Sequence, residues 1–393
     1  MKKVLLNEKN IKKFQRGYPL IQEIDLKNRA DLERIGEWLT FYSQDNQYLG
    51  TGYLGRQNKG VGWIITHDPD RKINQSFFAH LFRQALAKRQ PLFHSEETTA
   101  FRVFNGEGDG LGGVTVDIYN GFAVLSWYND SIYYHQKVIL AALLAELPEI
   151  SGVYEKIRFA SPDLPESQLI WGEPAPEPLI IRENGIHFAT YLNDGLMTGI
   201  FLDQRDVRNL LIDGLASGRT VLNTFSYTGA FSVAAAMGGA AETTSVDLAK
   251  RSLPKTREQF SVNGLDPDDH RIIVMDVFEF FNYAVRKQLM YDVVILDPPS
   301  FSRNRKNTFS VTKNYSELTE NAVKLITKDG VLIASTNAAN LPMERFMVMV
   351  EQGIRKAQRS YKQIGRHRLP FDFALSKDFK EGNYLKVLVY RVQ

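Results

Sequence analysis

The stretch Tyr291-Asp292-Val293-Val294-Ile295-Leu296-Asp297-Pro298-Pro299-Ser300-Phe301 limits what the whole chain can fold into. Val293 to Leu296 is continuous, apolar and largely β-branched, the pattern of a strand buried on both faces in a parallel sheet. It stops on an acid followed by two prolines. Proline has no N–H to give a ladder, and it holds the preceding residue extended. The Asp297 carboxylate is therefore expected at the carboxyl end of a central strand, the edge where open α/β sheets bind ligands. The Pro298 carbonyl is freed from any ladder, and Phe301 adds a flat apolar surface. Acid, carbonyl and aromatic plate suit a planar base with polar edges. An isolated Asp-Pro-Pro more often just ends a strand, so the flanking pattern has to decide.

That pattern begins at Asn193, where strands start to alternate with helices. Strands are predicted at Val221–Thr224, Glu242–Asp247, Ile272–Met275, Tyr291–Leu296 and Val331–Ser335. Helices are predicted at Phe231–Met237, Lys250–Val262, Phe278–Lys287, Ser316–Ile326 and Pro342–Arg359, with a terminal strand pair at Tyr361–Arg368 and Tyr384–Arg391. The alternation argues for an α/β, doubly wound sheet.

A chain of 393 residues has room for two or three domains. Residues 1–70 read as short strands and turns at Leu20–Leu26, Trp38–Ser43, Tyr48–Leu54 and Gly60–Ile65, which suggests a small β-barrel. Its leading segment carries Lys2, Lys3, Lys9, Lys12, Lys13 and Arg16. These are either a solvated edge or a phosphate-contacting face, and the sequence favours neither. Asp68-Pro69-Asp70 marks a boundary. Residues 71–190 then read as α+β, with helices at Asn74–Arg89 and Ile132–Leu147, strands at Gly152–Ile157, Pro178–Ile181 and Ile186–Leu192, and hairpin signals at Asn120-Gly121 and Asn184-Gly185. Glu107, Asp109 and Asp117 match no metal-ligand spacing and read as turn and hairpin carboxylates.

The net charge is only +3, so any nucleic-acid surface must be a local patch. No cysteine is present, which excludes disulfides, thiolate metal sites and a thiol nucleophile. No run of about 18 apolar residues suggests a membrane span. A soluble cytoplasmic protein is the expectation.

Four strand ends carry groups suited to one adenosine-containing ligand. After the first strand, Asn223 to Ala230 forms a loop in which Gly229 permits close backbone approach and the following helix offers free amides. It is not GxGxxG, so a pyrophosphate-cradling dinucleotide site and a nicotinamide-dependent oxidoreductase are disfavoured. Asp247 stands about 20 residues on, where an acid can hold ribose hydroxyls. Asp276, followed by Val277, can accept from an adenine amino group, and Asp297 ends the fourth strand. Each acid alone could be a cap, but in register on successive strand ends they read as a cofactor site.

The chain resembles the S-adenosylmethionine-dependent ribosomal RNA methyltransferases with an N-terminal PUA domain, a middle α+β domain and a C-terminal Rossmann-like domain. The resemblance rests on residues 104–119 (FNGEGDGLGGVTVDIY), 198–208 (TGIFLDQRDVR), 223–232 (NTFSYTGAFS), 243–253 (TTSVDLAKRSL) and 296–303 (LDPPSFSR). It implies a PUA-like RNA-binding barrel at 1–70, a middle domain at 71–190 and a class I methyltransferase domain with a mainly parallel seven-stranded sheet at 191–393. It also implies S-adenosylmethionine as cofactor, S-adenosylhomocysteine as product, no metal, and large-subunit ribosomal RNA as partner. A homodimer is compatible with it. Phe225, Tyr227, Gly229, Asp247, Asp276, Val277 and Asp297 would line the cofactor pocket, and Gln204 and Arg205 would close it.

One branch of that family methylates cytosine C5 through a cysteine thiolate that adds to the neighbouring ring carbon. Where that branch places its thiol, this chain reads Ala334-Ser335-Thr336-Asn337-Ala338, and a hydroxyl is a far weaker nucleophile. A second branch methylates guanine N7, an in-plane lone pair that needs positioning rather than covalent help. Its motif is similar to Asp297-Pro298-Pro299-Ser300-Phe301-Ser302, with an asparagine near Asn337. There Phe301 would stack on the base, and Asn337 or Ser302 would donate to its acceptor edge. An exocyclic amine held by Asp297 and the Pro298 carbonyl suits the residues equally well physically. Guanine N7 ranks first because Ser300-Phe301-Ser302 matches that branch more closely. Arg303, Arg305 and Lys306 are expected on a loop gripping RNA phosphates, with Lys12, Lys13 and Arg16 adding to the RNA surface. The rival from another class is an RNA-binding ribosome assembly factor that has lost turnover.

Overall fold

A computed structural model describes residues 1–58, 60–303 and 308–393. The chain divides into two compact units. One comprises Met1–Ile181, Thr190–Thr198 and Phe371–Gly382; the other comprises Arg182–Ala189, Gly199–Pro370 and Asn383–Gln393. Among the described residues, no helix is long and apolar enough to cross a membrane.

The first unit opens with a five-stranded sheet in the order Lys2–Leu5, Leu39–Tyr42, Tyr48–Gln57, Gly60–Thr66, Leu20–Ile21. Val4, Phe14, Phe41 and Leu54 fill its core. The strand expected over Leu20–Leu26 is only two residues long. Glu23–Asp25 turns into a 3-10 helix, and the Asp25 carboxylate accepts from the Gln22 N–H at 2.8 Å. The Lys2–Leu5 strand was not anticipated, because four residues led by two lysines carry no usable periodicity.

A second five-stranded sheet follows: Ala100–Asn105, Val114–Tyr119, Phe122–Trp127, Gly152–Ile157 and Ser167–Gly172. Helices Gln75–Lys88 and Gln136–Glu146 pack against it through Phe78, Phe82, Ile139 and Leu143. Asn74 caps the first helix by accepting the Phe77 N–H at 3.1 Å. Asp109 in the glycine-rich turn and Asp117 on the strand Val114–Tyr119 each pair with an arginine. Asp109 holds buried Arg89 at 2.7 Å and Asp117 holds Arg102 at 2.6 Å.

The second unit is built on one seven-stranded sheet. Its strands are β1 Thr220–Thr224, β2 Glu242–Asp247, β3 Arg271–Val274, β4 Tyr291–Leu296, β5 Ile326–Thr336, β6 Tyr361–His367 and β7 Lys386–Val392. Their spatial order is β3-β2-β1-β4-β5-β7-β6. β1 to β5 run parallel, and β7 is antiparallel to both β5 and β6. The sheet order reverses between β1 and β4, the switch point where ligands bind in such folds. Helices α1 Arg205–Leu210, α2 Ala230–Met237, α3 Ser252–Ser261, α4 Val277–Arg286, α5 Val311–Val323 and α6 Met343–Lys356 accompany it. Val294, Leu296, Leu332, Ala334, Leu388 and Tyr390 share one core with Phe280, Leu318, Phe346 and Val350 of α4, α5 and α6.

β5 is longer than expected. Its strand runs through Asp329-Gly330, where Asp329 takes φ +62° and the register with β4 shifts. The basic run after Phe301 was expected on a loop. Of that run, Arg303 ends a short strand, Phe301–Arg303, that pairs antiparallel with Thr308–Ser310, and residues 304–306 lie outside the described residues.

Candidate functional site

The end of β1 is anchored before its loop begins. The Thr224 hydroxyl donates to the Ile295 carbonyl at 2.7 Å, and Asn223 Nδ2 donates to Ser232 Oγ at 3.0 Å. The chain then folds back through Phe225, Tyr227 and Gly229, at φ of +54°, +52° and +80°. Such dihedrals are costly for Phe and Tyr, and a strained loop of this kind at a strand end is a mark of a ligand site. Gly229 starts α2 from the left-handed region. A Cβ there would lie 2.5 Å from Thr256 Cγ2, so no side chain fits.

Asp247, at the end of β2, fixes this loop. Its Oδ2 accepts the Tyr227 N–H and its Oδ1 accepts the Ala249 N–H, both at 2.8 Å. Each carboxylate oxygen keeps a second lone pair, enough to receive a ribose hydroxyl. Asp276 follows β3 and caps α4, with Oδ1 accepting from Phe278 N at 2.9 Å and Glu279 N at 3.2 Å. Val277 beside it is buried. Phe225 stacks toward Phe309 at 6.5 Å, and Phe278 meets the same ring at 5.8 Å. These rings form an apolar wall next to polar backbone, the lining an adenine ring needs.

At the end of β4, Gln204 donates through Nε2 to Asp297 Oδ1 at 3.1 Å and to Ser335 Oγ at 2.8 Å. Ser335 also hydrogen-bonds Asp297. Asp297 keeps some open surface as a residue, yet its carboxyl is enclosed by protein. That enclosure pushes its pKa up to about 6, and Asp203 nearby adds to the rise. The Ser335 and Gln204 hydrogen bonds and the Arg208 charge pull the other way. Gln204 is 3% exposed, and its Oε1 is buried and meets no donor among the described residues. A buried carbonyl without a partner beside an enclosed carboxyl fits a ligand that brings N–H groups.

Arg205 is buried beside Gln204, its Nε 3.5 Å from Asp206 Oδ1. Arg208, one turn on, holds Glu183 at 2.6 and 2.7 Å and the Phe201 carbonyl at 2.7 Å, locking α1 in place. Pro298 is buried, whereas Phe301 is 62% exposed and open for stacking. Asn337 is exposed just past β5, and the Ser300 hydroxyl donates to its Oδ1 at 2.6 Å. That bond ties down the amide oxygen.

The structure therefore links Gln204 directly to Asp297 and Tyr227 directly to Asp247, places Asp297 and Asn337 just past the adjacent strands β4 and β5, and places Asp276 past β3 at the sheet edge. In the sequence, Ser335 stands out only as a hydroxyl too weak to serve as the nucleophile. Its contact with Gln204 spans 131 residues and has no local signature. The bracing pair Arg208–Glu183 went unnoticed for the same reason. On the first unit, Lys12 and Arg16 are exposed, whereas Lys13 Nζ lies 2.7 Å from the buried Asp25 carboxylate. The Ser302 and Arg303 side chains, and Arg305 and Lys306 entirely, lie outside the described residues. Among the described residues, no cluster of three His, Asp or Glu could hold a metal.

Residues 157–391 match the S-adenosylmethionine-dependent methyltransferase family, and residues 4–67 match a PUA-like domain. YwbD of Bacillus subtilis is 46% identical over 99% of both chains. Ribosomal RNA large subunit methyltransferase I of Alteromonas mediterranea is 31% identical over 99% of this chain and 98% of its own. The solved structure of SMU.776 in complex with SAH superposes with a TM-score of 0.93 at 45% identity, covering 100% of each chain. A PUA-like domain, a strained loop on β1 and three acids at successive strand ends accompany these matches, and the chain belongs to the S-adenosylmethionine-dependent methyltransferases.

Proposed function

We propose that this enzyme methylates a base of large-subunit ribosomal RNA, and that the base is guanine, attacked through N7. The relatives from Alteromonas mediterranea and Deinococcus radiodurans, at 31% and 30% identity, carry the name ribosomal RNA large subunit methyltransferase. RNA as substrate also agrees with a PUA-like domain carrying exposed Lys12 and Arg16, and it makes the cytoplasm the place of action.

The observation that carries the choice of atom is Ser335. It lies within residues 334–338, where the resembling branch places its thiol, yet its hydroxyl is tied to Gln204 and Asp297, and the chain has no cysteine. Transfer is then a matter of geometry and electrostatics. The cofactor supplies an electrophilic methyl on a sulfonium. Guanine N7 has a lone pair in the ring plane and no proton to lose. Asn337 donates to the acceptor edge of the base, and Phe301 covers one face. The positive charge ends on the purine ring, and the Asp297 carboxylate beside it stays favourable from reactants to products. Asp247 and the Phe225–Gly229 loop hold the adenosine end, Asp276 and Val277 its base, and Gln204 and Arg205 close the site.

The enclosed acceptor pair Gln204 Oε1 and Asp297 also favours an exocyclic amine, whose hydrogens it would receive. Mass mapping of nucleosides in large-subunit RNA, from cells with and without the gene, separates the readings. Loss of a 7-methylguanosine supports the first and loss of an N-methylated amine the second. Loss of 5-methylcytidine overturns both.

A further inference from the structure

Three segments of the catalytic unit meet beyond Asp247. The Phe201 and Tyr227 rings lie 5.4 Å apart at 52°. The Tyr227 N–H donates to Asp247, and the chain leaves Asp247 through Leu248, Ala249, Lys250 and Arg251, all exposed. Phe201 is 41%, Leu248 57% and Leu253 39% exposed. One exposed apolar side chain needs no explanation, but several on adjoining segments at the rim of a site mark a surface that a partner covers.

The charges on this rim say which partner. Four cations stand between residues 250 and 257. Two are paired, Lys255 with Glu258 at 3.9 Å and Arg257 with Asp268 at 2.7 Å. Lys250 and Arg251, nearest the site, enter no ion pair among the described residues. Unpaired cations on a segment joined through Asp247 and Tyr227 to an exposed aromatic ring offer what single-stranded nucleic acid prefers, rings for bases and cations for phosphates. A target base has to leave its stack to reach an enclosed site, which uncovers the faces of its neighbours.

We propose that the rim formed by Phe201, Tyr227, Leu248, Lys250 and Arg251 is a second RNA-contacting surface, which takes the single strand flanking the target nucleotide. One base stacks on Phe201, and the phosphates beside it meet Lys250 and Arg251. This rests on RNA being the substrate, and it adds a contact on the β2 side of the sheet, two strands from β4.

The test uses the full chain, labelled single-stranded fragments of large-subunit ribosomal RNA, and SAH as a cofactor-site control. In the K250E/R251E variant, RNA affinity falls at least about tenfold, and the slope of log affinity against log salt shrinks by about 1.5, as the loss of two phosphate contacts requires. SAH affinity is unchanged. F201A weakens RNA binding and leaves the salt slope as it was. K287E, on an exposed lysine that ends α4, changes neither. If K250E/R251E binds RNA as the unaltered protein does, or if K287E weakens binding equally, the second surface is refuted. If the unaltered protein binds no ribosomal RNA fragment, the substrate reading fails and this inference with it.

Discussion

The side-chain amide of Gln204 donates to Oδ1 of Asp297 across 3.1 Å, inside a site that holds this carboxyl at a pKa of about 6. A carboxyl so enclosed titrates about one unit below neutral pH, and only its ionised form places negative charge beside a cationic methyl donor. Methyl transfer should therefore fall as the pH drops through about 6, following one proton. D297N should remove that limb along with most of the activity. Q204L deletes one of the bonds that favour the ionised form, so its limb should move up by about one unit, the worth of one charge-assisted hydrogen bond. The stability sign is opposite. A carboxyl raised above its unfolded value favours the fold most below that value, near pH 4, and this contribution is lost as the pH climbs through 6. At pH 7.5, D297N should melt no lower than the unaltered protein. A melting point lowered by the same change would make the residue structural.

Arg208 and Glu183 form a buried, two-pronged ion pair, each side chain at most 2% exposed. Removing one partner strands the other charge away from water. R208M is expected to cost about 3–5 kcal/mol in urea unfolding, while R208M/E183L should recover most of the loss, because no charge is left uncompensated. Equal destabilisation in the single and double variants would mean that packing, not charge, dominates there.

The β1 loop leaves no room at Gly229, both for its φ of +80° and for the nearness of Thr256. G229A should cost about 1–3 kcal/mol from backbone strain alone and weaken SAH binding measured by calorimetry. Adding T256S removes the clashing methyl and should restore part of the affinity, but not the strain. If T256S restores nothing, the clash is irrelevant and the dihedral alone matters.

Much of this was legible in the chain. The β-branched run before Asp297, the helix–strand alternation after Asn193 and the Asn120-Gly121 turn are local signals, and strands and turns form from local signals. The positions of Asp247, Asp276 and Asp297 followed because a strand's carboxyl end fixes where its last residue stands. What stayed hidden was relational. Ser335 meets Gln204 across 131 residues, and nothing near either residue announces the other. Lys13 looks in sequence like its neighbour Lys12, but only the fold brings it to buried Asp25. Lys2–Leu5 becomes a strand because Leu39–Tyr42 offers it an edge, not because of its own residues.

Tyr315 supports the acid from beneath. Its hydroxyl lies 2.7 Å from the Ser335 carbonyl and 3.3 Å from the Leu296 carbonyl, so one buried group spans the ends of β4 and β5. Leu296 precedes Asp297, and Ser335 is bonded to it, so this bridge sets the spacing between the acid and the strand that carries Asn337. Y315F keeps the ring against Phe346, 4.8 Å away, and removes only the bridge. The fold should lose about 1 kcal/mol, the usual worth of one internal hydrogen bond. Turnover should suffer more, falling about tenfold, since small displacements are costly when catalysis is positional. SAH affinity should stay within about twofold, because the β1–β3 side, proposed to hold adenosine, is untouched. A parallel fall in turnover and SAH affinity would mean that the bridge shapes the cofactor pocket and not the alignment of acid and base.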